Sequence, residues 1–358
     1  MRQRHRSGVS PQAFAPWSEG SAELGRSGRR SRTVHALVPV PNLLPDSAQN
    51  VQRPPTDSEG DKLLRRLTQR DIAMLSALDQ HRYLDQGQME DLFFPSERAA
   101  QLRIRWLRDE GLVLRWLSLR PQSWIPEPSV LAASPRGAWL LATTRGEDPR
   151  PAMQRSRHAA THRYHLVHDI EANGFFVAVA TAARHLQDEG LYHWMGEWAA
   201  RLAYRDRGAA FFPDGWGRYI SPSGEVVFLL EWDRGTESPR RLGVKVSQYV
   251  TYFGRRNQAA LTNVLFVAPN SAREETIRES LSRRLPSGSQ SCCTFWTCEL
   301  SRLAFAGPLG PIWRSVRGED RPAALVELPA HPRSSRRAED CVGKPGWWLR
   351  RPGGGEGA

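Results

Sequence analysis

The stretch FFPDGWGRYISPSGEVVFLLEWDRGTESPRRLGVKVSQYVTYF, residues 211–253, decides the fold. Its apolar runs predict two strands, the first ending at Asp214 and the second at Glu231. A helix is predicted to follow, and it carries Lys245. Carboxylates at the ends of neighbouring strands, with a lysine close behind, can hold a divalent metal ion beside a phosphodiester.

Lysine is rare in this chain. Of 50 basic residues only Lys62, Lys245 and Lys344 are lysines. A lysine that follows a group of strand-end acids therefore indicates a place where a compact ammonium is needed, since a planar guanidinium does not replace it.

The candidate catalytic residues are Asp214, Glu231, Asp233 and Lys245. The three acids are the predicted metal ligands, and their oxygen atoms suit Mg²⁺ or Mn²⁺ as cofactor. Lys245 would orient or activate the attacking water. If the site is not catalytic, no cofactor is expected.

The same residues also fit a structural ion-pair network. Asp214 follows a proline in a frequent turn-forming pair, and Asp233 could salt-bridge Arg234 or cap the next segment. Glu231 ends an apolar strand, where an unpaired carboxylate is costly, so it needs a metal ion or a basic partner such as Lys245. The residues alone leave both interpretations open.

Several nearby residues are weaker candidates. Glu197 is a fourth acid, and Gln248 and Tyr249 lie where they could contact a nucleic-acid backbone. We expect His165 and His168 to be helix-start and packing residues, because no nucleophile close in sequence would form a dyad with them.

The net charge of +12 and the pI near 10.2 favour a polyanionic partner. Residues 1–60 mix Arg, Ser, Gly and Pro without apolar periodicity, which predicts a disordered basic tail. Residues 306–358 are predicted to form an irregular to disordered C-terminal tail. No window has the pattern of a signal peptide or a membrane span, so we expect a cytoplasmic protein without a membrane partner.

Residues 64–145 are predicted to form the first ordered domain. Thr68 and Asp71 have the spacing of a capping box, and further helices are predicted around 86–92 and 97–110. A β-hairpin follows, and three helices before a hairpin is the order of a winged helix-turn-helix domain. The predicted buried stripe of its third helix consists of Ala99, Leu102, Trp106 and Leu107.

In that geometry the third helix lies in the major groove of double-stranded DNA. The candidate DNA-binding residues are Arg98, Arg103, Arg105, Arg108 and Arg115, which would contact phosphates or base edges. Two alternatives to DNA binding are an arginine-rich helix face that is simply solvated, and a winged helix that docks a protein.

Residues 146–163 are polar and arginine-rich and are predicted to be a linker. Residues 164–305 then follow the order helix, strands, helix, strand, helix, which is similar to the core of the PD-(D/E)XK nuclease-like fold. The expected fold class is α+β, with an N-terminal winged helix-turn-helix, an α/β PD-(D/E)XK nuclease-like domain and disordered tails. The position two after Glu231 holds Asp233 instead of the usual lysine, although Lys245 could reach the same space from the next helix.

The chain resembles the replication-relaxation family of plasmids and integrative elements over about residues 64–270. The resemblance rests on Leu67–Asp71, on Pro213-Asp214-Gly215 and above all on Glu231 to Glu237 followed by Lys245 and Tyr249. It implies a role in plasmid replication and DNA relaxation, with a relaxase or replication protein of the same element as a protein partner.

Three functions follow from these observations. The first is a DNA-binding protein of a plasmid or integrative element, whose nuclease-like domain grips DNA or a partner without cleavage. The second is an active Mg²⁺-dependent endonuclease. The third is a winged-helix transcriptional regulator, so whether the chain is an enzyme or a catalytically inactive relative stays open.

Overall fold

The computed structural model describes residues 54–116, 129–161, 165–255, 262–285, 293–318 and 321–350, and it shows a mixed α+β fold with two sheets. The α-helices are α1 (Asp57–Arg66), α2 (Gln69–His81), α3 (Gln86–Phe93), α4 (Glu97–Asp109), α5 (Pro135–Thr144), α6 (Pro149–Thr161), α7 (Leu166–Ala182), α8 (Glu197–Asp206), α9 (Pro239–Arg255), α10 (Ser271–Ser282), α11 (Leu300–Ala306) and α12 (Trp347–Arg350). The strands are β1 (Leu84–Asp85), β2 (Val113–Trp116), β3 (Val130–Ala133), β4 (Gly190–Gly196), β5 (Gly215–Ser221), β6 (Gly224–Trp232), β7 (Thr262–Ala268), β8 (Cys293–Glu299) and β9 (Arg314–Ser315).

The N-terminal unit places α2, α3 and α4 beside a three-stranded antiparallel sheet of order β1-β3-β2. The predicted capping box at the start of α2 is confirmed, since the side chains of Thr68 and Asp71 each accept from the other residue's backbone amide. The predicted buried stripe of α4 is wrong in part. Ala100, Ile104 and Leu107 are its buried residues, whereas Leu102 is 51% exposed.

The predicted linker over 146–163 is wrong, because most of it is helix α6. Ala152, Met153, Ser156 and Ala159 recur every three or four residues and form the buried side of this helix. The Ser156 hydroxyl also donates to the carbonyl of Ala133 in β3. Arginines on the outer side gave the segment the composition of a linker.

The larger sheet has the order β4-β5-β6-β7-β8-β9. Strands β4, β5 and β6 are antiparallel neighbours, β6, β7 and β8 run parallel, and β9 is antiparallel to β8. Helix α7 packs on one face, where Phe175 and Phe176 meet Phe228 of β6. Helices α9 and α10 cover the other face, which explains the nearly continuous apolar sequence of the parallel strands.

Asp214 does not end a strand, as the sequence predicted, but immediately precedes β5. Because β5 runs antiparallel to β6, the beginning of β5 lies beside the end of β6. The backbone amide of Asp214 donates to the carbonyl of Leu230 at 3.0 Å. The predicted position of Asp214 within the strand is therefore wrong, but Asp214 lies at the same edge of the sheet as Glu231.

Both predicted tails are shorter than expected. Helix α1 begins at Asp57 inside the first tail, whose residues 1–53 lie outside the described part of the chain. The C-terminal segment after 306 is irregular but packed, with Trp313 and Leu325 fully buried. Its C-terminal end contacts the N-terminal unit, since Trp347 and Trp348 both contact the ring of Phe93.

The two main units share one hydrophobic core. Asn173 of α7 donates from its side-chain amide to the carbonyls of His81 and Tyr83, at 3.1 and 2.9 Å. Gln88 of α3 donates to the carbonyl of Ile170 at 2.9 Å. These contacts fix the larger sheet relative to the helices of the first unit. None of the helices that the structure describes has the length and apolar character needed to cross a membrane.

Candidate functional site

A cleft of about 610 Å³ opens beside the end of β6, between α7, α8 and the first turns of α9. Asp214, Lys245, His168, Glu197 and Gln248 all line it. The sequence therefore predicted correctly that an acid and the scarce lysine converge. Glu231 lies just beneath them in β6, with only 2% of its surface exposed.

Asp214 is held by two donors at the wall of this cleft. The backbone amide of Trp232 donates to its Oδ2 at 2.7 Å, and Nε2 of His168 lies 2.9 Å from its Oδ1. Burial alone would raise the pKa of Asp214, but His168, Lys245 and the Trp232 amide outweigh burial and lower it. The same pairing acts on the imidazole: burial opposes protonation, yet Asp214 and the neighbouring acids raise the pKa of His168 to about 9. An ionised carboxylate and an imidazolium therefore face each other at neutral pH.

Glu231 forms the buried centre of the network. Lys245 donates to its Oε2, and the hydroxyl of Tyr249 donates to its Oε1. Burial and the nearby Asp214 raise the pKa of Glu231 to about 8 against the opposing effect of Lys245. Burial disfavours the Lys245 ammonium, but Glu231, Asp214 and Glu237 raise its pKa. Of the two partners that the sequence left open for Glu231, a metal ion or a basic residue, the structure shows Lys245.

A second pair of acids lies at the junction of α7 and α8. Asp169 is buried, and burial together with its hydrogen bond to Glu197 raises the pKa of Asp169 to about 8. A protonated Asp169 can donate to the carboxylate of Glu197, which removes one negative charge from this side of the cleft. Glu197, the weaker fourth acid of the sequence, thus lies in the cleft wall.

Asp233 binds an arginine of α10 and not Lys245. Its Oδ2 accepts from Nε of Arg273 in α10 at 2.7 Å, and its Oδ1 accepts from the backbone amide of Gly235. Arg234 instead pairs with Glu171 at 3.4 Å. The structure therefore brings Asp214 and Glu231 together and leaves Asp233 in an ion pair with α10.

Metal ligation by the three acids stays a prediction. Within the described residues, no group of three or more His, Cys, Asp or Glu side chains is arranged to hold a metal ion. Asp214 lines the cleft, and Glu231 lies beneath it with its two carboxylate oxygens bonded to Lys245 and Tyr249. Mg²⁺ is often held by one or two carboxylates together with water and substrate phosphate, and Glu231 would join Asp214 as a ligand only by exchanging its present partners.

Three neighbouring residues differ from the expectations. Tyr249 is fully buried and hydrogen-bonded to Glu231, so it supports the network and does not face a ligand, whereas Gln248 lines the cleft. His165 also lines it, and His168 is a functional candidate that sequence reasoning missed. No local signal marks His168, because its partner Asp214 lies far along the chain.

The arginines of α4 and β2 divide into two kinds. Arg98, Arg105, Arg108 and Arg115 are exposed. Burial lowers the pKa of the Arg115 guanidinium, and Arg108 and Arg105 lower it further, so these three charges form one cluster.

Arg103 is different, since its guanidinium binds other side chains of the protein. It pairs through two nitrogens with Asp71, whose side chain is fully buried, and it stacks on the ring of Trp106 at 4.0 Å. Its predicted contact with DNA would compete with this ion pair. Arg103 therefore has a structural role.

Together, the fold and the site define a mixed α+β protein whose larger sheet carries a cleft with acids, a lysine and a histidine. The family described as replication-relaxation matches residues 75–265, more than half of the 358 residues. The chain belongs to the replication-relaxation family. Membership suggests a role in the replication or relaxation of a plasmid or another mobile element. A search of the curated proteins found no match.

Proposed function

We propose that this chain is a DNA-binding protein that acts in the replication or relaxation of a plasmid or integrative element. Its N-terminal unit is a winged helix-turn-helix domain that binds double-stranded DNA. The observation that carries the proposal is the cluster of exposed arginines on α4 and β2 in a member of the replication-relaxation family. A relaxase or replication protein of the same element is the proposed protein partner.

The geometry of the N-terminal unit supports this function. Helices α2, α3 and α4 precede the β2–β3 hairpin, and α4 presents Arg98, Arg105 and Arg108 on its exposed side. Arg115 on β2 adds to the same positive surface. A helix of this kind enters the major groove, where arginines bind phosphates and guanine edges. Repulsion within the cluster would be relieved by bound phosphates.

The second unit is proposed to be a PD-(D/E)XK nuclease-like domain. Support comes from the order α7, three antiparallel strands, α9 and the parallel strand β7, and from the meeting of Asp214, Glu231 and Lys245 at one sheet edge. Lys245 is supplied by α9 instead of by β6. An ammonium from either element can reach the carboxylate at the end of the strand.

A second candidate function is Mg²⁺-dependent endonuclease activity. The pair Asp214 and Glu231 favours it, since Asp214 lines the cleft and Glu231 lies directly beneath, where a metal ion would meet a phosphodiester. A bound metal would polarise the phosphate and supply an activated water. Lys245 and His168 would then place positive charge beside the phosphate oxygens.

Two measurements test these functions. Binding of the full chain to duplex DNA over a salt titration should show a steep salt dependence, and Arg105→Ala/Arg115→Ala should weaken it. Sequence-independent binding without any preferred site in the element's own DNA would argue against origin recognition. Absence of duplex binding would overturn the proposal.

The endonuclease is tested by nicking of supercoiled plasmid in Mg²⁺ and in EDTA. Asp214→Ala and Lys245→Ala should abolish nicking, whereas Asp206→Ala, an exposed acid of α8, should not. If the parent protein does not nick, or if the Asp214 and Lys245 variants nick equally well, the endonuclease candidate is wrong and the DNA-binding function is unaffected.

A further inference from the structure

The cleft at β6 continues into a second groove of about 630 Å³ along the exposed side of α9. Four residues line both cavities: Ala210, Arg240, Val244 and Gln248. From Arg240 to Thr251 the shared side of α9 extends about 16 Å, at 1.5 Å per residue. The two cavities therefore form one continuous path that starts at the acids and Lys245.

The charge composition differs along this path. The cleft has both signs, with Asp214, Glu197 and Glu237 beside Arg240, Arg241 and Lys245, whereas the charged residues that line the groove are Arg207, Arg240 and Arg284. Among the residues that the structure describes, no carboxylate lies within ion-pair distance of Arg240 or Arg284. Both side chains are exposed. A groove with uncompensated guanidinium groups favours an anionic ligand that extends along it.

A glycine creates the space for one of these arginines. A Cβ atom at Gly243 would lie 1.9 Å from Cζ of Arg284, so the guanidinium lies directly over the backbone of α9. Nη1 of Arg284 also contacts the carbonyl of Ser280 at 3.3 Å. Glycine within a helix costs about 1 kcal/mol relative to alanine. The observed position of the Arg284 guanidinium depends on the absence of a side chain at Gly243.

The mouth of the cleft also offers a surface for stacking. Phe212 lines it with 38% of its surface exposed, and the guanidinium of Arg201 stacks on the ring at 4.3 Å. Further along, Ser247 and Thr251 add hydroxyl groups to the groove. Basic groups that follow a backbone, combined with aromatic rings that accept bases, are typical of sites for single-stranded nucleic acid.

We propose that the groove along α9 binds a single strand of nucleic acid and leads it to the cleft, with phosphates on Arg240 and Arg284 and a base on Phe212. The proposal deepens the proposed function, because it names the form of DNA that the second unit takes. A groove beside one helix can hold one nucleic-acid backbone, whereas a duplex would contact only the edge of the groove. A protein that acts during DNA relaxation encounters such strands next to the duplex bound by α4.

The test uses the full chain with two labelled probes: a mixed-sequence single-stranded oligonucleotide, and the same sequence as duplex. Arg240→Gln/Arg284→Gln should weaken single-strand binding about a hundredfold, which is about tenfold, or about 1.4 kcal/mol, for each of the two lost phosphate contacts. The slope of log affinity against log salt should fall by about 0.7 for each lost phosphate contact. Duplex binding should change little.

Two single variants sharpen the test. Gly243→Ala should reproduce the loss seen for Arg284→Gln, because the new methyl group displaces the guanidinium, while the stability of the helix does not fall. Arg283→Gln is the matched control, since this exposed neighbour pairs with Glu279 and does not line the groove. Equal single-strand affinity of the parent, Arg284→Gln and Gly243→Ala proteins would overturn the proposal.

The same experiment distinguishes the single-strand groove from the proposed DNA-binding function. Duplex binding without any single-strand binding would refute the groove and leave the DNA-binding function in place. Loss of single-strand binding in Arg105→Ala/Arg115→Ala but not in the groove variants would assign the strand to α4 instead. Failure of the parent protein to bind either probe would refute both.

Discussion

Nε2 of His168 lies 2.9 Å from Oδ1 of Asp214, which joins the first turn of α7 to the start of β5. Burial opposes the imidazolium, but Asp214 and the nearby acids raise the pKa of His168 to about 9. Asp214→Asn should therefore lower the pKa of His168, since burial then acts without the hydrogen bond and charge of this carboxylate. Titration of the ring nitrogens by NMR measures this directly. The exposed change Asp206→Asn is the control, and an unshifted His168 in Asp214→Asn would contradict the pairing.

The buried acids predict a particular dependence of stability on pH. Burial raises the pKa of Asp169 and of Glu231 to about 8 in the folded protein, well above their values in the unfolded chain. The folded state then binds more protons than the unfolded state between about pH 4 and pH 8, so stability falls as pH rises through this window. Each group contributes up to about 1.4 kcal/mol per pH unit within it.

Asp169→Asn should flatten this dependence, because asparagine resembles the protonated acid. We expect the free energy of unfolding to rise by a few kcal/mol more at pH 8.5 than at pH 5, because ionisation of Asp169 favours the unfolded chain progressively above about pH 4. Denaturant unfolding of the full chain at both pH values is the measurement. The control is Glu279→Gln, an exposed acid of α10. Equal effects of Asp169→Asn at pH 5 and pH 8.5 would show that Asp169 is ionised in the folded state.

The sequence allowed the central pair to be predicted because its physical reason is local. A carboxylate at the end of an apolar strand needs a partner, and the scarcity of lysine in this chain marks Lys245 among the basic residues that follow. Strand β6 and helix α9 follow from apolar spacing, whereas the meeting of Lys245 with Glu231 depends on how α9 packs against the sheet. His168 could not be found in this way, since only the folded sheet brings it to Asp214.

The errors have two physical causes. Helix α6 has the sequence pattern of a linker because its buried side is made of small residues, Ala152, Ser156 and Ala159, which give little hydrophobic signal. The segment after 306 has the sequence pattern of a tail because its contacts are long-range. Trp313 packs against Phe175, and that pairing is specified by the tertiary structure.

The two kinds of arginine on α4 should respond differently to substitution. Arg103→Ala leaves the carboxylate of Asp71 buried without its ion-pair partner, which should cost about 3 kcal/mol of stability. Arg105→Ala should leave stability within about 0.5 kcal/mol of the parent protein and reduce the salt slope of duplex binding by about 1. Thermal unfolding and a binding titration distinguish the two. An Arg103→Ala protein that is stable but no longer binds duplex would show that Arg103 contacts DNA after all.

Lys344 ties the C-terminal segment to α7, and its contacts predict a measurable cost. The ammonium donates to the carbonyl of Ala183 at 2.7 Å and to that of Leu186, and only 6% of the residue is exposed. Lys344→Met keeps the length of the side chain but leaves both carbonyls without this donor, so we expect a loss of about 1–3 kcal/mol. Arg337→Met is the control, because that side chain is exposed and pairs with Glu339 on the surface. Denaturant unfolding compares the two variants. If Lys344→Met is as stable as Arg337→Met, the two carbonyls find other donors and the Lys344 ammonium does not stabilise the segment.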